Sequence, residues 1–194
     1  MSYANVGKSW KVDDFKAYLK TIAPPAWAKA VTLHHTASPN LGNRPNGLTD
    51  QHIINIRDFY RDEKGWSAGP HLFVDDRRIM GMTPLTEKGV HAVSFNSSSI
   101  GIEVLGDYDE EDPHSGRGLK CWENAFAATA ALLEWLKLEP SSKTVQFHRD
   151  DIRTNKSCPG NKVRKDWVLL GVTGVKTQYP APRHCPTCTC PGHG

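Results

Sequence analysis

Ala30-Val-Thr-Leu-His-His35 is a short apolar run that ends on two imidazoles, and its composition and alternation read as a buried β-strand. With a side-chain period of two, Val31, Leu33 and His35 share one face while Thr32 and His34 share the other, so the adjacent histidines point opposite ways. Ile100-Gly-Ile-Glu-Val-Leu105 repeats the pattern: Ile100, Ile102 and Val104 face a core, and Gly101 and Glu103 face away from it. Glu103 thus puts a carboxylate inside an otherwise apolar strand.

The segments around these two strands alternate between strand and helix. Val12, Phe15, Leu19 and Ile22 recur at helical spacing over 12–22, with Pro24-Pro25 as the stop. Thr49 or Asp50 can cap a helix carrying Ile53, Ile56 and Tyr60, which Gly65 closes. His71 to Val74 and Ile79 to Met82 read as a hairpin around Asp75-Asp-Arg-Arg78, a weak turn signature. The acidic stretch Asp107 to Gly118 is expected as a solvated surface loop leading into the longest helix, whose apolar face is Trp122, Ala125, Phe126, Thr129, Leu132, Leu133 and Leu136. A last strand, Thr144 to Phe147, a polar loop from His148 to Gly160, and a helix near Val163 to Leu170 complete the pattern.

A chain of 194 residues, 38% apolar, can bury one core and is too short for two ordinary domains. A net charge of +3 with scattered basic residues gives no track for a nucleic-acid backbone, so no nucleic-acid partner is expected. Five cysteines crowded towards the C-terminus, at 121, 158, 185, 188 and 190, do not resemble a disulfide framework. The chain opens without a charged segment leading into an apolar run, and nowhere do eighteen apolar residues follow one another. It is therefore expected to be made in the cytoplasm without an export signal and not to insert stably in a membrane.

A histidine on the first strand, His34, another after the last strand, His148, and Cys158 ten residues further on would form a mixed nitrogen and sulfur zinc site. Three protein ligands leave one tetrahedral position for water, as a catalytic zinc requires. The ordinary alternatives stand beside this. His34 and His148 taken singly could be satisfied structural histidines, Glu103 could pair with an arginine, and Lys156 could be a solvated loop lysine. His35 and His71 read as core or supporting residues, His52 and His114 as solvated, and Cys121 as an inert buried thiol. From 178 onward the composition is Pro, Cys, His and Gly; Cys185, Cys188 and Cys190 offer donors for a second zinc, but a flexible tail is the simpler reading.

Five stretches, LHHTAS (33–38), GWSAGPHLFV (65–74), GVHAVSFN (89–96), SIGIEVLGDYD (99–109) and HRDDIRTNKSCPG (148–160), resemble in order the N-acetylmuramoyl-L-alanine amidase superfamily, which includes phage endolysins and peptidoglycan recognition proteins. The resemblance implies an α/β fold, with a central mixed β-sheet flanked by helices in a single domain. The chain is expected to divide into a helical extension at 1–25 packed on a catalytic domain at 26–177, followed by the Cys/His/Pro-rich tail at 178–194. Carried over position by position, it implies one catalytic Zn2+ held by His34, His148 and Cys158, at the mouth of a groove at one sheet edge, with Lys156 to stabilise an oxyanion.

Where short phage lysozymes of the superfamily read Gly-Tyr-His, this chain reads Gly69-Pro70-His71, and proline does no acid or base work. The superfamily's other version carries a glutamate in the Ile-Gly-Ile-Glu strand, which makes Glu103 the general base and later the acid. His91 and Asn96 match a segment lining the groove and are expected to contact substrate. The implied partner is bacterial peptidoglycan, cut by a monomer between N-acetylmuramic acid and L-alanine, as a phage or prophage endolysin released to the wall. A muropeptide-recycling amidase, a non-catalytic peptidoglycan-binding module and a regulatory partner of RNA polymerase are the alternatives; Cys158 argues against the binding module.

Overall fold

The computed structural model describes residues 2–174. The tail expected at 178–194, with its three cysteines and the suggested second zinc, lies outside the described residues. Among the described residues six strands form one sheet: β1 (Ser9–Trp10), β2 (Ala30–His35), β3 (Leu72–Val74), β4 (Ile79–Gly81), β5 (Ser99–Val104) and β6 (Val145–Phe147). Their order is β1-β4-β3-β5-β2-β6, with β3, β5, β2 and β6 running parallel, β4 antiparallel beside β3, and β1 antiparallel beside β4. Parallel strands need cover on both faces, because each is buried above and below; all six residues of β2 are buried.

Among the described residues four α-helices accompany the sheet: α1 (Val12–Leu19), α2 (Asp50–Asp58), α3 (Gly116–Leu136) and α4 (Lys165–Val172). Of the face of α3 read from its spacing, Trp122, Ala125, Phe126, Thr129, Leu132 and Leu133 are buried, joined by Cys121, and Leu136 is half-buried. These side chains meet Val31, Leu33, Ile100, Ile102, Val104 and Phe147 in one core, with Phe15 and Leu19 of α1 and Trp167 and Val168 of α4 at its flanks. Removing a side chain the size of Trp122 or Phe147 from water contributes about 1.5–3 kcal/mol each.

Several expectations are corrected. Helix α1 stops at Leu19, five residues short of Pro24, and β1 is a two-residue edge strand that leaves too short a pattern to detect. Tyr60 does not continue α2 but sits in a π-helical turn, Phe59–Glu63. The hairpin of β3 and β4 has its turn built by a side chain: the buried Asp75 carboxylate accepts from the amides of Arg77 (2.8 Å), Arg78 (2.9 Å) and Leu48 (2.7 Å). His52 is not simply solvated, since its Nδ1 accepts from Thr49 N while Thr49 Oγ1 accepts from His52 N, a reciprocal cap at the start of α2. His114 packs edge-on against Trp167, ring centroids 4.4 Å apart.

Candidate metal centre and active-site cleft

The register of the two central strands brings the chemistry together. His34 of β2 lies directly opposite Glu103 of β5, and Glu103 opposite Phe73 of β3. Paired residues on neighbouring strands point to the same face, so the three side chains stand in a row on the face away from α3. His148 begins a short 3-10 turn after β6, one residue beyond Phe147, which pairs with Leu33. The cluster is therefore on the sheet face near the C-terminal ends of parallel strands, a common place for α/β sites, with His148 leaving the edge strand β6.

His34 Nδ1 is 3.1 Å from His148 Nδ1 and 3.7 Å from Cys158 Sγ. The donor atoms of His34, His148 and Cys158 all lie within 4.8 Å of one another, close enough to share a metal ion. His34 is 1% exposed, and its desolvation, aided by His91, His148 and Lys156, holds its pKa well below 6.5, so its ring is a neutral potential ligand. Burial likewise raises the Cys158 thiol far above its usual range. An isolated thiolate is disfavoured there, whereas a divalent cation would displace the proton.

Glu103 Oε1 is 3.9 Å from His34 Nδ1. Burial pushes its pKa up to about 8, with the Lys156 ammonium opposing the rise. Its neighbours are thus the neutral His34 imidazole and the Lys156 ammonium, and no arginine pairs with it among the described residues. Lys156 is exposed on the loop before Cys158 and lines the same cleft of about 680 Å³ as His34, Glu103, His148 and Cys158.

Residues outside the candidate ligand and catalytic set hold this arrangement. Arg149 donates to the carbonyls of Ser157 (3.1 Å), Gly160 (2.8 Å) and Val163 (2.6 Å), which curls the Cys158 loop around one guanidinium whose fork of donors suits several acceptors at once. Asp109 accepts from Ser157 Oγ (2.5 Å) and Asn161 N (2.7 Å), fastening the acidic loop to the other side of the Cys158 loop. Its burial raises and these bonds lower its pKa, with a net lowering. His35, on the opposite face of β2 from His34, accepts the amide of Tyr108 at 3.1 Å. Phe59, Tyr60 and Trp66 form an aromatic wall of the cleft, Tyr60 and Trp66 with ring centroids 5.2 Å apart.

The two residues expected to contact substrate are placed differently from each other. His91 lines the cleft, but both ring nitrogens are engaged inside the protein, with His34 Nε2 (3.0 Å) and the Ser99 carbonyl (3.2 Å). Asn96 is not among the cleft residues; its Oδ1 accepts from His91 N (2.7 Å) and Ala92 N (2.8 Å). The structure gives Asn96 a loop-shaping position.

Residues 24–161 match the family described as N-acetylmuramoyl-L-alanine amidase. The chain belongs to that family. Among solved structures, this family member is similar to the endolysin N-acetylmuramoyl-L-alanine amidase LysCS from Clostridium intestinale, 23% identical, TM-score 0.57, covering 77% of this chain and 86% of that one. The catalytic domain of XlyA is 25% identical with a TM-score of 0.55, over 75% and 86% of the two chains. Drosophila PGRP-LB, 21% identical with a TM-score of 0.57 over 73% and 78%, shares the fold. By sequence, peptidoglycan-recognition protein 1 of Holotrichia diomphalia is 28% identical over 43% of this chain and 42% of its own length. The match thus spans less than half the length of that relative. No helix among the described residues is long and apolar enough to cross a membrane.

Proposed function

We propose that the chain is a zinc-dependent amidase that hydrolyses the bond between N-acetylmuramic acid and the L-alanine of the stem peptide in bacterial peptidoglycan. The observation that carries this reading is the convergence of His34, His148 and Cys158 beside the Glu103 carboxylate on an open cleft. The donor set suits zinc. A tetrahedral ion with bonds of about 2.0–2.1 Å to nitrogen and about 2.3 Å to sulfur separates its ligands by roughly 3.3 Å (N to N) and 3.6 Å (N to S), against 3.1 and 3.7 Å here. Two imidazoles and one thiolate leave a fourth direction open to the cleft.

Zinc in this position would supply Lewis acidity to the attacking water and to the scissile carbonyl. Glu103, held in register with His34, takes the proton of the attacking water and returns it to the departing alanine amine. A divalent charge acts on Glu103 in the same direction as Lys156, towards the ionised form that a base needs. Lys156 offers an ammonium to the oxyanion from the rim of the cleft. Pro70 and the aromatic wall of Phe59, Tyr60 and Trp66 shape the cleft and give the glycan and peptide apolar surface to pack against.

Within this chemistry we assign the role of a phage or prophage endolysin, acting on the wall after release from the cytoplasm; the similarity to endolysin amidases supports it. The recycling alternative is separated by substrate. An endolysin releases new alanine N-termini from intact sacculi, and turnover restricted to soluble muropeptides would reject that role. Glu103→Gln is expected to keep its zinc by elemental analysis while losing about 10²–10⁴-fold in amine release. Near-normal rates in that variant, or a wild-type protein that carries no zinc and releases no amine, would overturn the proposal.

A further inference from the structure

We propose that His91 is a positioning residue that holds His34 in the tautomer whose Nδ1 lone pair faces His148 and Cys158, through a hydrogen-bond relay anchored on the Ser99 carbonyl. The inference rests on reading the His34, His148 and Cys158 cluster as a metal site.

The relay is determined link by link from its acceptor end. A backbone carbonyl can only accept, so His91 Nε2, 3.2 Å from Ser99 O, carries a proton. The ring of His91 is buried between that carbonyl and a second imidazole, with no carboxylate among its hydrogen-bond partners, and so it is neutral with a single N–H. Its Nδ1 is then an acceptor, and His34 Nε2, 3.0 Å away, must be the donor. A neutral His34 with its proton on Nε2 has its lone pair on Nδ1, the atom nearest both His148 Nδ1 and Cys158 Sγ. One main-chain oxygen thereby fixes which nitrogen of His34 can bind a cation. Metal-binding histidines commonly give their second N–H to a carboxylate, carbonyl or water. A neutral imidazole in that place adds no negative charge to the site.

A second observation points to the same ring. Gly101 sits in the middle of β5 with ordinary extended backbone, where glycine weakens a strand and needs a reason. A Cβ there would lie 2.5 Å from His91 Cγ and 2.7 Å from Cδ2. Glycine is required at this position because the His91 ring lies on the strand. The backbone of His91 is pinned as well, by the Asn96 side chain bonded to its amide. The Gly in Ile-Gly-Ile-Glu and the Asn that ends the GVHAVSFN stretch thus serve one imidazole.

The test uses two near-isosteric variants. In His91→Asn the amide oxygen replaces Nδ1 as acceptor for His34, whereas in His91→Gln the amide reaches for the Ser99 carbonyl and leaves His34 Nε2 without its partner. Imidazole 15N NMR of the metal-free wild type should show His34 protonated on Nε2, a readout that needs neither zinc nor substrate. His91→Asn should preserve that signature and keep the zinc Kd, measured by chelator competition, within about threefold. His91→Gln should mix the His34 tautomers and weaken zinc by about 10–100-fold. Gly101→Ala, which displaces the ring without altering either histidine, should reproduce the weakening.

A metal-free wild type with the His34 proton on Nδ1 overturns the proposal even if no variant folds. Zinc binding by His91→Gln equal to wild type also overturns it. Wild-type protein that binds no zinc at all would instead remove the metal-site reading beneath it, and the tautomer measurement would still stand.

Discussion

His71 offers a sharp test of how burial is compensated beside the cleft. Its ring is 0% exposed, its Nδ1 accepts from Gly101 N and its Nε2 donates to Glu87 O, both at 2.9 Å, and Trp27 stacks on it with ring centroids 5.9 Å apart. Both nitrogens are satisfied only in the neutral form, since a proton on Nδ1 would face the Gly101 N–H. Burial accordingly holds the pKa down at about 4. In the unfolded chain His71 titrates near 6.5. Between that pH and about 4 the unfolded state binds a proton that the folded state refuses, so stability is complete above 6.5 and falls as pH falls, by about 1.4 kcal/mol per pH unit. Across that window the loss sums to about 3 kcal/mol, and it stops growing below pH 4.

His71→Asn keeps an acceptor for Gly101 N and cannot titrate. At pH 7 it should cost about 2–4 kcal/mol through the cavity it leaves. Urea unfolding at a series of pH values from 7 to 4, with chelator present throughout, gives the stability gap between wild type and variant, in which every other histidine cancels. The gap should shrink by about 3 kcal/mol on going from pH 7 to pH 4. A gap that stays constant with pH would refute the argument.

Cys158→Ser removes the soft donor of the cluster. Wild-type protein should gain about 3 kcal/mol from zinc held at a hundredfold above its Kd and lose it to chelator, read as a shift in thermal unfolding, while the variant should respond to neither; equal responses would exclude Cys158 as a ligand. Asp75→Ala strips one buried and two half-buried amides of a carboxylate acceptor, and urea unfolding should show a loss of about 2–4 kcal/mol. A loss under about 1 kcal/mol would mean the turn of the β3 and β4 hairpin has another source of order.

The sequence displays strands and helices where side-chain alternation is strong, as in Ala30 to His35, Ile100 to Leu105 and the face of α3. It also marks His34, His148 and Cys158 as candidates, and the fold gathers them. It does not display register: nothing local in β2 or β5 says that His34 stands opposite Glu103 rather than one pair away. Side chains that serve the backbone are equally silent. Asp75, Arg149 and Asp109 read as ordinary surface charges, because their partners, main-chain groups and for Asp109 also the Ser157 hydroxyl, are brought near only by the folded chain. His91 and Asn96 stood out as substrate contacts by their place in a matching stretch, yet their polar atoms are turned inward on His34 and on the loop itself. The π-helical turn that swings Tyr60 into the cleft has no compositional mark.

The strand order places residues distant in the chain side by side: β2 lies between β5 and β6, both of which follow it by many residues. His148 and Cys158 share one short loop, but neither His34 nor Glu103 can reach that loop or each other through a hairpin, and the cluster is completed only when the segment after β6 has docked. During synthesis, therefore, an emerging chain holds no three-donor cage until that loop and β2 have come together. Capture of the cation would be a late event that reports a finished topology, and a truncated or misassembled product would be recognisable by its inability to retain one.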